Sequence, residues 1–272
     1  MPGNFHKPYS CFLIRVYCTF TNRMQFDIHN IERIDSTNSY AFGVCTKEKV
    51  AEGTVFLARE QYAGKGYHQN AWLSEKGKNL TFSLVLRPEF IPPSDQFVMT
   101  QIISLALTDL LNSLIAQQKI CIKWPNDIYV DDRKICGILV QNSIMGDKTD
   151  FSVVGIGLNV NQTVFPEELP NPVSIAEITG EVYQPDVILK QLLECIGERY
   201  ENYRDNLNRD LLQKEYLDNL YRYGKPAEFK DETGFFIGQI TGVDEFGRLE
   251  IVLSDGKQKK YNFKEVEFET DD

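Results

Sequence analysis

ICIKWPNDIYVDDRKICGILVQNSI, residues 120–144, sets two apolar, β-prone runs on either side of a polar stretch. It reads as strand, loop, hairpin and strand, with Lys123, Asn126, Asp127 and Lys134 at strand ends or in the loops beyond them. Polar groups so placed can converge on a ligand without disturbing a core, because the sheet beneath them is rigid. Three more segments repeat the arrangement. GIGLNVN (155–161) is the polar end of a buried strand over residues 151–162. QYAGKGYHQNAW (61–72) is a glycine-punctuated loop joining the strands TVFLAREQ (54–61) and NLTFSLVLRP (79–88), the latter with Thr81, Ser83, Val85 and Arg87 on one face. IDSTN (34–38) ends a strand and offers Ser36 or Thr37 as the cap of a short helix.

Beyond these segments the clearest helix spans residues 92–118, with Ser94 as its expected N-cap after two prolines. Leu189, Leu192, Leu193, Ile196, Tyr200 and Tyr203 keep the spacing of an amphipathic helix, and residues 210–223 offer one more. After Gly224-Lys225-Pro226 the texture changes to short alternating strands and turns, as in Leu249, Ile251 and Leu253, which suggests a small β-barrel. The organisation expected is an extra segment 1–23, a main domain 24–223 and a C-terminal domain 224–272.

The chain has 272 residues with 39 Asp and Glu against 29 Lys and Arg, a formal net charge of −10. Sequence-independent binding to nucleic acid or to an anionic membrane needs a basic surface, so neither partner is expected. No apolar run approaches the roughly 20 residues that span a bilayer. Six cysteines at 11, 18, 45, 121, 136 and 195 form no C-x-x-C pair, and three histidines leave little material for a zinc site. Scattered thiols suit a reducing, cytoplasmic setting. The apolar stretch 11–20 is broken by Arg15 and followed by no cleavage pattern, so an extra strand or an over-long gene start, with Met24 the natural initiator, is expected before a signal peptide.

Taken singly, each polar cluster has a plain structural reading: caps, a turn, core aromatics, surface charges. Their joint order is another matter. IDSTN, the AGxG loop ending in Trp72, KWPND, DRKxxGILV and GIGLNVN resemble the biotin protein ligases, and the likeness covers roughly 240 residues. The resemblance implies an α+β fold: a mixed, mostly antiparallel sheet with helices, like the class II aminoacyl-tRNA synthetase core, plus a C-terminal SH3-like β-barrel. It implies an enzyme that uses ATP and Mg2+ to activate biotin as biotinyl-5′-AMP and passes it to a lysine of a biotin carboxyl carrier domain. No metal site of the protein's own is implied, since magnesium arrives with ATP, although Asp127 stands on the metal side. Ser36, Thr37, Asn38 and Gln61 match residues around the biotin head, and Gly64, Lys65, Gly66 and Tyr67 match the loop over its carboxylate and the adenylate. Gly137 matches a close approach to biotin, and Lys134 the catalytic lysine. Lys65, Trp72, Lys123, Asn126, Asp127 and Asn159 match the nucleotide side.

The loop departs from the family pattern, reading GKGYHQNAW (64–72) with Tyr67 in place of a second common Arg and Gln69 in place of a glycine. Losing a guanidinium implies weaker retention of the adenylate, unless Tyr67 stacks over it. A lipoate–protein ligase is the alternative within the superfamily, and KWPND favours biotin. A non-catalytic biotin-binding module would lack Lys134. A DNA-binding repressor would carry a helix-turn-helix of about sixty residues ahead of the catalytic domain, where 33 residues precede Ile34 here. Some relatives form a homodimer by pairing sheets edge to edge, and the sequence leaves monomer and dimer open.

Overall fold

A computed structural model describes residues 24–66 and 71–269. The segment 1–23, including Cys11 and Cys18, and the loop residues Tyr67 and Gln69 lie outside the described residues. Seven strands form the main sheet: β1 (Asp27–Ile31), β2 (Thr54–Ala58), β3 (Leu80–Leu86), β4 (Ile120–Lys123), β5 (Asp127–Val130), β6 (Arg133–Met145) and β7 (Lys148–Leu158). Their order is β1-β2-β3-β7-β6-β5-β4, antiparallel throughout except for the parallel β1–β2 pair. The fold is α+β with a mixed sheet.

Helices cover both faces. α2 (Phe97–Leu114), α4 (Pro185–Asn206) and α5 (Arg209–Asp218) pack on one side, where Leu84, Leu86, Val154 and Ile156 meet Ile103, Leu107 and Leu192 in one core. α1 (Thr37–Cys45) covers the other side at one end, packing Ala41 and Cys45 on Phe56, Val85 and Val153. This explains why β3 is buried at every position although its side chains alternate in polarity. Residues 81, 83 and 85 face α1, so the polar ones need internal partners: Thr81 donates to the Ala58 carbonyl at 3.1 Å, and the Ser83 hydroxyl lies 2.9 Å from that of Thr37.

α2 is long and apolar enough to cross a bilayer by composition, but most of it is buried against the sheet and the other helices. Its start corrects the sequence expectation. Ser94 is not the cap; it sits in a short 3₁₀ turn, Pro93–Asp95, and the helix begins at Phe97 with no side-chain cap. The neighbouring Asp95 is drawn away by Arg209 at 2.8 Å. A short helix that the sequence reading did not foresee, α3 (Ile175–Thr179), follows β7 with Ser174 as its cap.

The C-terminal strands β8 (Pro226–Asp231), β9 (Gly234–Val243), β10 (Leu249–Leu253), β11 (Gln258–Tyr261) and β12 (Glu267–Phe268) form a separate antiparallel sheet, β11-β10-β9-β8-β12, consistent with an SH3-like domain. Its core residues Phe229, Ile240, Leu249 and Ile251 join the core of the main sheet. Trp124 is one seam, its indole N–H donating 2.9 Å to the Gly247 carbonyl. Gly247 has φ +84° and faces Phe97 so closely that a Cβ there would lie 2.6 Å from the ring. Cys45, Cys121 and Cys136 are buried, Cys195 is half-buried, and all four are free thiols. Burial raises each pKa, that of Cys121 to about 11, which keeps them protonated and unreactive.

Candidate active site

A cavity of about 530 Å3 opens on the α1 side of the main sheet, between Gln61, Lys65, Gly66, Ala71 and Trp72 on one side and residues 263–268, at and before β12, on the other. At one end α1 begins. Ser36 caps it, its hydroxyl accepting from the Ser39 amide at 3.4 Å, while the Thr37 amide donates 2.7 Å to Gln61 Oε1. Asn38 donates to the Leu139 carbonyl at 3.2 Å and lies against Gly155, where a Cβ would come 2.7 Å from its amide nitrogen. Ser36, Thr37 and Asn38 are all buried, so this end is a set of polar groups fixed by the fold.

The middle of the floor is backbone. Gly137 and Gly157 are cross-strand partners on β6 and β7. Trp72 lies across them, so closely that a Cβ on Gly157 would sit 2.2 Å from Cε2 of the indole. The loop carrying it is cinched at its neck, where Lys65 pairs with Ala71 and the Trp72 amide donates 2.9 Å to the Gly64 carbonyl. The Trp72 indole N–H is buried without a hydrogen-bond partner among the described residues.

Lysines mark the other end. Lys134 Nζ is 2.7 Å from Asp127 Oδ2 and 6.0 Å from the Trp72 ring. Lys134 and Gly137 both line the cavity although three residues apart, which strict strand alternation forbids. A β-bulge resolves this: Ile128 pairs with Cys136 but Tyr129 with Lys134, leaving Ile135 as the extra residue that turns Lys134 to the cavity side. Lys123 pairs with Asp127 across β4 and β5, and its ammonium lies 3.3 Å from the Tyr129 hydroxyl. Burial lowers its pKa, with Asp127 opposing the shift. Lys65 and Lys264 complete the lining, so four lysines face the carboxylates of Asp127 and Glu267 in a protein of net charge −10. Such a site attracts anions.

Of the residues expected from the sequence, Ser36, Thr37, Asn38, Gln61, Lys65, Gly66, Trp72, Lys123, Asn126, Asp127, Lys134 and Gly137 line this cavity. Asn126 also pins the turn before β5, donating 2.6 Å to the Ile138 carbonyl. Two described residues fall elsewhere. Gly64 is buried behind the loop, where a Cβ would meet the Trp72 carbonyl at 2.5 Å. Asn159, expected near the triphosphate, is turned away: it is 4% exposed and its amide donates 3.0 Å to the Val173 carbonyl. It ties β7 to the approach of α3 instead. The sequence reading missed Tyr129 and the C-terminal lining residues Phe263, Lys264, Val266, Glu267 and Phe268. Alternation at Tyr261 and Phe263 signalled a strand, but nothing in it signalled which cavity that strand would border.

Comparisons with known proteins agree on one group. The sequence profile of the biotin/lipoate A/B protein ligase family matches residues 30–159. A biotin–[acetyl-CoA-carboxylase] ligase of Paracoccus denitrificans is 31% identical over 241 residues, covering 84% of this chain and 95% of that protein. A bifunctional ligase/repressor of Bacillus subtilis is 31% identical over 216 residues, covering 78% of this chain. The chain spans 65% of the length of that relative. Among solved structures, a biotin protein ligase from Aquifex aeolicus in complex with biotin and ATP superposes with a TM-score of 0.74 at 25% identity, covering 90% of this chain and 99% of that one.

Proposed function

The chain belongs to the biotin protein ligase family, and from that premise we propose that it is an ATP-dependent ligase joining biotin to a lysine of a biotin carboxyl carrier domain. The observation that carries the reading is the polarity of a single cavity, with fixed hydroxyl and amide groups at one end and four lysines lining the rest. A cyclic urea offers two donors and one acceptor that must be paired once buried, and the Ser36, Thr37 and Gln61 groups suit it. The lysines suit a carboxylate and a nucleotide polyphosphate brought together.

In the first step a carboxylate oxygen of biotin attacks the α-phosphorus of ATP. The new C–O–P anhydride is biotinyl-5′-AMP, and the α–β phosphoanhydride bond breaks to release pyrophosphate. In the second step the amine of the carrier lysine attacks the anhydride carbonyl, AMP departs, and the amine loses a proton. Both nucleophiles belong to the substrates, and no cysteine is among the described residues that line the cavity. The protein supplies position and charge, and the compact Lys134 ammonium is suited to stabilise the charge spread over carboxylate and α-phosphate as they close.

Magnesium is assigned in this reading to the nucleotide, entering as part of that substrate with Asp127 on its side of the cavity. A cytoplasmic setting is part of the same proposal, resting on the scattered spacing of the six cysteines. Biotin-dependent ATP–pyrophosphate exchange, run in parallel with lipoate, tests the assignment. Exchange with biotin alone is the expected result. Exchange with lipoate alone would move the chain to the lipoate ligases, and biotin binding without exchange would make it a binding module.

A further inference from the structure

Two lysines of the cationic end are held by opposite means. Lys134 is paired with a carboxylate. Among the described residues Lys123 makes no ion pair; aromatic rings surround it instead. Its Nζ lies 4.7 Å from the centroid of Tyr129, 5.4 Å from that of Phe268 and 5.9 Å from that of Tyr221. All three are within the roughly 6 Å at which a cation is drawn to a ring face.

The walls of this box come from three parts of the chain, and each is tied down. Tyr129 belongs to β5, two residues beyond Asp127. Tyr221 follows α5 and is locked beside β4 by backbone bonds, Ile122 N–H to the Asn219 carbonyl and Tyr221 N–H to the Ile122 carbonyl, both 2.8 Å. Its hydroxyl donates 2.6 Å to Asp132. Phe268 comes from β12, the last strand, which pairs with β8 and rests edge-on against Phe229. Arg222, the residue after Tyr221, donates 2.6 Å to the Glu269 carbonyl, fastening the end of β12 to the turn that carries Tyr221. The rings also touch one another, Tyr129 to Tyr221 at 6.0 Å and Tyr221 to Phe268 at 6.3 Å between centroids.

A carboxylate would hold the ammonium and cancel its charge. Rings hold it and leave the charge to act, since the attraction comes from the ring quadrupole and no net negative charge is introduced. We propose that Tyr129, Tyr221 and Phe268 form a positioning box for the Lys123 ammonium, and that through Phe268 the C-terminal sheet is part of the site that binds the polyphosphate of a nucleotide. The inference rests on the ligase reading of the cavity. The three aromatics are positioning residues: they act on the nucleotide through Lys123.

The test separates ring electrostatics from packing. Phe268→Leu keeps an apolar side chain in the box and removes the π face; Phe268→Tyr restores it; Phe235→Ala removes an exposed aromatic of the same sheet as a control. KM for ATP, KM for biotin and kcat are measured in biotin-dependent pyrophosphate exchange, with thermal melting alongside. ATP binding is also measured by calorimetry, which needs no turnover. Phe268→Leu is expected to raise KM and Kd for ATP about three- to tenfold, to leave kcat and KM for biotin within about twofold, and to be reversed by the Tyr variant. A melting temperature that falls without any change in ATP affinity would reduce Phe268 to a packing residue and overturn the proposal. Equal losses for ATP and biotin would overturn it too. Wild-type protein that binds ATP but exchanges with no acid would sink the ligase reading while the calorimetric comparison still decided the box. Wild-type protein that does not bind ATP would sink both.

Discussion

The hydroxyl-and-amide end of the cavity and its cationic end are built on different principles. At the first, the start of α1 is stitched to the segment after β2 and to β3 and β6 by hydrogen bonds among buried and part-buried groups, Thr37 to Gln61 and Ser83 and Asn38 to Leu139. Its geometry comes with the sheet, and the polar atoms that order it have no freedom to wander. The second end is assembled from the 61–72 loop, a bulge on β6 and the last strand of the C-terminal sheet. It is defined by charge and by aromatic surfaces brought together from separate parts of the chain. A rigid recognition end suits a small neutral head group. An end defined by charge suits anions.

The largest predicted effect tests the charged end. Lys134→Ala removes an ammonium that faces the cavity from the bulge, and its partner Asp127 is itself partly exposed. The exchange rate is expected to fall by about 100- to 1000-fold, the range for a lost electrostatic contact to a developing charge. The melting temperature should hardly change, because a part-exposed ion pair contributes little to stability. A large drop in melting temperature with modest loss of rate would make Lys134 a structural residue.

Two glycines of β7 compare the ends directly. Gly155→Ala puts a Cβ 2.7 Å from an amide that is buried and hydrogen-bonded, with no room to retreat. Overpacking of this kind costs about 1–3 kcal/mol, readable by denaturant unfolding. Gly157→Ala makes a nominally worse clash, 2.2 Å with Trp72. Yet Trp72 rides on a loop and is only half-buried, so the ring is expected to swing off the floor. Stability should then stay within about 0.5 kcal/mol of wild type, while indole fluorescence shifts to the red and biotin affinity falls. If both variants lose stability alike, the two ends are equally rigid and the contrast fails.

Much of this was legible before any coordinates. The strands at 54–61, 79–88 and 151–162 and a cap at Ser36 or Thr37 follow from local pattern, because alternation and capping chemistry act within a few residues. The bulge was not legible. DRKICGILV keeps an unbroken strand-like run, and only pairing with β5 shows that Ile135 is the extra residue placing Lys134 and Gly137 on one face. The place of Asn159 was not legible for a related reason: the partner of its amide, the Val173 carbonyl, is fixed by the chain's return toward α3. The part played by Phe268 depends on where a second sheet docks, which no local signal encodes.

A smaller effect sharpens the first end. The Ser36 hydroxyl caps α1 over a long 3.4 Å contact, so Ser36→Ala should cost no more than about 0.5–1 kcal/mol, the low part of the range for a lost N-cap. A loss of biotin affinity larger than this would show the hydroxyl bonding to ligand as well as to backbone, whereas equal losses would leave it a cap alone.

The smallest effect concerns Lys123 and runs against intuition. Burial disfavours its ammonium in the folded protein and lowers its pKa below the ordinary 10.5. Between the lowered value and 10.5 the unfolded chain therefore binds more protons than the folded one, so stability from this residue rises with pH across that window. Below the window the full penalty stands. Lys123→Met keeps the length of the side chain and removes the charge, so the variant should be at least as stable as wild type at pH 7. Its advantage should shrink as pH climbs toward the upper end of the window, and the difference between the two melting curves cancels the titrating groups that do not interact with Lys123. ATP affinity should fall in the same variant, the expected trade when a buried charge is kept for binding rather than for stability. A variant that melts lower by a constant amount at every pH would mean that the three rings more than repay the burial of the ammonium, and that the charged end is as firmly built as the other.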